Sequence, residues 1–159
     1  MGAGKSTMLA EATDLLAARH VVHAAIDLDA LAVGHVGDRA RMAELMYRNL
    51  ESVCRNYRAA GVDRALLAAA VETRGELDRL KVCLDAASLV VCRLRAPLSV
   101  MQQRVRLREP GLLQQTFVER VAVLETLLDA AALEDFSIAS HDRSVTHTAG
   151  EMLERAGWL

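Results

Sequence analysis

The sequence predicts an α/β fold with a mostly parallel sheet. Short β-type runs alternate with helical stretches along the whole chain. No internal repeat, low-complexity segment or Pro/Gly/Ser linker interrupts them. The 159 residues suit one domain around one core.

The elements follow in order. A Gly-Ala-Gly-Lys-Ser-Thr opening leads into a helix, roughly residues 6–20, with Leu9, Ala12, Leu15 and Leu16 on its apolar face. Residues 21–28 form a strand ending in Asp27 and Asp29, and 34–38 a loop. A long helix over about 38–60 is stopped by Gly61 at its C′ position. Residues 64–71 are rich in Leu and Ala, which favours a helix. Their place just after Gly61 and their lack of polar periodicity make them a buried strand. A short helix over 74–85 comes next, then a strand over 88–94 with Val90 and Val91 at its heart. Pro97 suits the first turn of a helix running to about Arg108, broken by Pro110 and Gly111. A helix over 112–133, a strand over 136–139 and a helix over 145–156 close the chain.

Composition narrows the function classes. With 52% hydrophobic and 25% charged residues the chain is ordinary for a soluble globular protein. A formal charge of −2 gives no reason to expect nucleic acid or an anionic membrane as partner, and 3% aromatics disfavours a base-stacking surface. The cysteines Cys54, Cys83 and Cys92 are scattered and form no CxxC pair, so they read as reduced thiols, with Cys92 a small buried hydrophobe. No apolar run is long enough to span a bilayer, and the N-terminus does not fit a signal peptide. A cytoplasmic location is expected.

The opening residues carry the chemistry. The Walker A pattern is G-x-x-x-x-G-K-[ST] between a strand and a helix. Gly4-Lys5-Ser6 matches its end, with Gly2 two residues earlier, and the first glycine of the pattern would fall ahead of Met1. Glycines let backbone N–H groups turn toward phosphate oxygens, and the helix N-terminus adds partial positive charge. Gly2, Ala3, Gly4, Lys5, Ser6 and Thr7 are therefore the candidate ATP-binding residues. Lys5 would reach the β- and γ-phosphates, Ser6 would ligate Mg²⁺ and Thr7 could touch a further phosphate.

On this motif the chain resembles the P-loop NTPases. At a coarse level it is similar over nearly its whole length to the small-molecule kinases: gluconate, shikimate, adenylylsulfate and nucleoside monophosphate kinases. The resemblance rests also on Asp27 and Asp29 after the second strand and on the strand-Ala-Pro-helix segment Val91 to Pro97. Arg104 and Arg108 follow before a mobile lid, and a polar loop follows Ser137. It implies a three-layer α/β/α domain over residues 1–159, of sheet order 2-3-1-4-5, with a lid near 104–116. It also implies phosphoryl transfer from ATP, with Mg²⁺, to a small hydroxyl-bearing acceptor. GTPases fit less well, since neither N-K-x-D nor a D-x-x-G switch is present.

In that setting Asp27 is the expected general base. Asp29 would help hold Mg²⁺ or cap the next helix. Two residues apart on a strand, both would point to one face. Arg104 and Arg108, four apart on one helix face, would swing onto the phosphates as the lid closes, and Lys5 shares that catalytic charge neutralisation. A solvated basic face is the competing reading for both arginines. Glu72 stands where many P-loop proteins keep an acidic Walker B residue, although Val71 ends the strand itself. Arg48 and Asn49 are candidates for an acceptor pocket. Arg143, with His141 and Asp142, falls in a loop that would face adenine, with a plain turn as the alternative. His20, His23, His35 and His147 show no metal spacing.

A P-loop normally follows a central strand, and none precedes Gly2. Five or six buried strand residues represent roughly 8–15 kcal/mol of gross burial, comparable to the whole net stability of a domain. Three accounts are open: an upstream segment supplies the strand, another element or a partner's strand fills the gap, or the chain is a degraded relative. The first is preferred. Rival functions are an ATPase or regulatory nucleotide-binding module without an acceptor, and a non-catalytic interaction domain. The sequence leaves the acceptor and the oligomeric state open.

Overall fold

The computed structural model describes residues 1–159. Helix α1 spans Lys5–Ala18, strand β1 Ala24–Asp27, and a 3-10 turn Leu28–Ala32 follows. Helix α2 is Arg39–Ala59, β2 Ala65–Ala68, α3 Arg74–Leu84 and β3 Cys92–Arg95. Helix α4 is Leu98–Arg108, α5 Gln114–Ala131, β4 Phe136–Ala139 and α6 Val145–Arg155.

Local chemistry sets the boundaries. Asp38 caps α2 by accepting from the Arg41 N–H at 2.8 Å, and Gly61 takes φ 82° just beyond its end. Thr73 and Glu76 form a reciprocal capping box on α3. The Ser144 hydroxyl caps α6 by accepting from His147 N–H at 3.2 Å.

The four strands form two separate parallel pairs. β1 lies on β2 in the register Ala24 with Ala65 through Asp27 with Ala68. β3 lies on β4 in the register Cys92 with Phe136 through Arg95 with Ala139. Neither β2 nor β3 has a strand on its second edge. Between them lies a cavity of about 970 Å³, lined by residues of both. No element of the chain fills the position that the expected central strand would take.

That gap explains one departure from the sequence reading. Val90 and Val91 precede β3 instead of forming its heart. Their segment borders the cavity, where it has no neighbouring strand; on its other side the Val91 N–H donates to the Asp135 carboxylate at 2.7 Å and its carbonyl accepts from the N–H groups of Asp135 and Phe136 at 2.9 and 3.4 Å. The pairing toward β4 thus starts only at Val91, and ahead of it no main-chain partner continues the ladder.

The buried residues fall into three clusters instead of the one contiguous core usual for a domain. Ile26, Leu28, Tyr47, Leu50, Cys54, Leu80 and Cys83 unite β1, α2 and α3. Met8, Ala12, Leu16, Ala149 and Leu153 join α1 to α6. Ala3, Met101, Val105, Val118 and Val121 join the opening loop to α4 and α5. No helix is long and apolar enough to cross a membrane.

Candidate functional site

The Gly2–Thr7 loop is anchored by its small residues. Ala3 points its methyl group into the α4–α5 cluster, so the backbone on either side is held against that helix pair. Gly2 has φ +71°, and a Cβ there would sit 2.4 Å from the Met101 carbonyl oxygen. Gly4, the N-cap of α1, is left-handed at φ 92° and ψ 22°. Its carbonyl accepts the first helical bond, from Met8 N–H at 2.9 Å. The N–H groups of Lys5, Ser6 and Thr7 donate to no protein acceptor. Such a turn of free donors at a helix start suits an anion.

Ser6 and Thr7 are exposed and Lys5 half-buried. The Ser6 hydroxyl donates to Asp27 Oδ2 at 2.6 Å, bringing the start of α1 against the end of β1. The other Asp27 oxygen accepts from the Asp29 N–H at 3.2 Å, so Asp27 is also the cap of the 3-10 turn. The capping role considered for Asp29 therefore falls to Asp27. Asp29 itself is exposed in the first turn of that element, because the strand ends at Asp27 and the two carboxylates do not share a strand face. No group of three His, Cys, Asp or Glu side chains is clustered to hold a metal by itself. A hydroxyl beside one carboxylate is a donor set that Mg²⁺ shares with substrate phosphates.

The arginines separate. Arg104 donates to the Gly2 carbonyl at 3.1 Å and to the Ser140 carbonyl at 2.9 Å. It is thus held on backbone, tying the opening loop to the segment after β4, where the sequence suggested a swinging side chain. Arg108 is largely exposed and pairs with its neighbour Glu109 at 2.8 Å. Arg143 pairs with Glu151 of α6 at 2.7 Å.

Glu72 forms an ion pair with Arg120 of α5, and its N–H donates to the Glu76 carboxylate at 2.7 Å. Asn49 donates to the Leu31 carbonyl at 2.8 Å, pinning the 3-10 turn to α2, while Arg48 is exposed. Neither lines the adjacent pocket. That pocket, about 410 Å³, is bounded by Leu28, Met46, Tyr47, Val71, Glu76 and Arg79, among others. It begins one residue beyond Asp27. Arg79 lies 4.0 Å over the Tyr47 ring and pairs with Glu44. Arg79, Tyr47 and Arg120 were not singled out from sequence. The α2 and α3 positions of Tyr47 and Arg79 carry no motif, and their meeting depends on helix packing.

Behind the site, Arg93 on β3 is buried and pairs with Glu125 and Asp129 of α5 and with Glu134. Arg95, two residues on, shares Asp129 and Glu134. Hydrogen bonding by Arg95 pulls the Asp129 carboxyl below its usual range against opposing desolvation, with Arg93 adding to it. Burial pushes Glu134 the other way, yet a backbone hydrogen bond and the two arginines leave it lowered.

Compared with protein-family models and with curated proteins, the chain gives no match to either.

Proposed function

We propose that the protein is a P-loop phosphotransferase that binds Mg–ATP at Gly2–Thr7 and phosphorylates a small hydroxyl-bearing acceptor. One observation carries the reading: the 2.6 Å bond from the Ser6 hydroxyl to Asp27 beside the free N–H groups at the start of α1. The two parallel strand pairs are the outer strands of a three-layer sheet of order 2-3-1-4-5 in this reading, with the middle position open.

Each residue then has a task. The N–H groups of Lys5, Ser6 and Thr7 cradle phosphate oxygens, and the Lys5 ammonium, which takes part in none of the protein's ion pairs, neutralises their charge. Ser6 and Asp27 would hold Mg²⁺, which bridges phosphate oxygens and offsets charge in transfer. The pocket containing Tyr47 and Arg79 begins at Leu28, next to Asp27, so an acceptor hydroxyl bound there would lie near its carboxylate. Arg104 keeps the loop in place, and Arg108, paired with its neighbour Glu109, remains the exposed candidate on the same helix face.

The test is transfer of labelled γ-phosphate from ATP to pooled hydroxyl-bearing metabolites. Asp27→Asn should lower acceptor-dependent transfer by about 10²–10⁴-fold while the protein stays folded. Transfer within threefold of the parent would remove Asp27 from the chemistry. Hydrolysis of ATP indifferent to every acceptor pool would instead favour an ATPase module.

A further inference from the structure

The pocket that begins at Leu28 differs in chemistry from the opening loop. Seven of its ten lining residues are apolar, so most of a bound molecule would meet hydrocarbon. At about 410 Å³ it suits a small ligand. Its only cation is Arg79. That guanidinium is already engaged: it forms an ion pair with Glu44 and lies 4.0 Å over the Tyr47 ring. The one carboxylate in the lining is Glu76. It is fixed in place, because its Oε2 accepts from the Glu72 and Thr73 N–H groups at 2.7 and 3.2 Å. Those bonds leave Oε1 to accept from a ligand. Burial, and then the charge of Glu76, raise Tyr47 above its ordinary value, so its hydroxyl keeps its proton and can donate.

The charge balance decides what fits. Two carboxylates, Glu44 and Glu76, against one guanidinium leave a net −1. An anion would have to take Arg79 from Glu44 and lie beside Glu76, in apolar surroundings that do not repay its lost hydration. An ammonium would meet Glu76, but with Arg79 three residues on along the same helix face. A polyol would bring more hydroxyls than the Tyr47 and Glu76 side chains can pair.

We propose that this pocket takes an uncharged alcohol with an apolar body, and that such an alcohol is the phosphoryl acceptor. The second half rests on the phosphotransferase reading. In the transfer the alcohol oxygen bonds to the γ-phosphorus of ATP as the bond to the bridging oxygen breaks. ADP leaves, and the hydroxyl proton passes to Asp27. The acceptor class thus departs from gluconate, shikimate, adenylylsulfate and nucleoside monophosphates, which are all anions.

Three alcohols on one frame are the probes: para-methylbenzyl alcohol, para-hydroxymethylbenzoate and para-aminomethylbenzyl alcohol. Binding is measured without ATP by ligand-observed NMR, and transfer from Mg–ATP separately. The uncharged alcohol should bind more tightly than either charged one by about tenfold or more. Glu44→Gln removes an exposed partner outside the pocket and frees Arg79. It should tighten binding of the benzoate by about tenfold or more and leave the uncharged alcohol within about threefold. Circular dichroism confirms that both proteins are folded. Three results would overturn the inference: a parent that prefers either charged probe, no binding of the uncharged alcohol, or a Glu44→Gln variant that gains nothing for the benzoate. Selective binding of the uncharged alcohol without transfer would uphold the pocket's preference and overturn the phosphotransferase reading alone.

Discussion

Arg93→Ala is expected to destabilise the protein by about 3–5 kcal/mol, the usual cost of removing one partner from a buried ion pair. The guanidinium is 7% exposed and lies 3.0 Å from Glu125, 2.8 Å from Asp129 and 3.5 Å from Glu134. Without it three carboxylates remain together, two of them mostly covered, with Arg95 the only nearby cation. Urea unfolding at neutral pH measures the loss. Acid separates this cause from lost packing. Asp129 and Glu134 are lowered from ordinary values of 3.8 and 4.5, so their contribution to stability is present above that range. It is lost as the pH falls through their folded values. The parent should therefore weaken in acid. In the variant the crowded carboxylates keep Arg95 but lose the second of their two cations and are relieved by protonation, so the difference between the two should shrink below about pH 4. A constant difference across pH would point to packing alone.

Gly2→Ala is expected to cost roughly 2–5 kcal/mol, combining about 1–2 for a left-handed alanine with about 1–3 for overpacking. The overlap is with backbone: the new Cβ would meet the Met101 carbonyl oxygen at 2.4 Å, and no rotamer change relieves it. Gly4→Ala is the internal comparison. It shares a positive φ, +92°, but its Cβ would meet only the Arg104 guanidinium, at 4.0 Å. Its stability cost should be confined to the conformational part. Denaturant midpoints of the two variants report the difference. Equal losses would mean that close packing of the loop on α4 is not what holds it.

How far the fold could be read in advance depends on where each signal lies. β2 was legible as a strand against its Ala and Leu propensity, because Gly61 ends the preceding helix and leaves a short apolar run, but the expected burial was not met: only Ala68 is buried, since the second edge of β2 opens onto the cavity. β4 was legible in full, and the helices to within about two residues, since their caps and breakers are local. Val90 and Val91 were misplaced because β propensity expresses packing and pairing, and no strand faces them. Within the site, the glycines and Lys5 to Thr7 carry their chemistry in a contiguous motif. Arg104 could be picked out by its position, but its two carbonyl partners lie 102 and 36 residues away, beyond any periodicity argument. Arg93 was hidden for the same reason. It sits in an apolar-looking strand, and its carboxylates arrive from a helix 32 and 36 residues later.

The most direct measurement is calorimetric titration of Mg–ATP into the folded protein and into Lys5→Ala, with circular dichroism confirming that both are folded. The site predicts micromolar binding by the parent and at least a tenfold loss in the variant, because Lys5 is the loop's one cation and has no protein partner to replace. No binding by a folded parent, or equal binding by both proteins, would contradict a phosphate site at the start of α1.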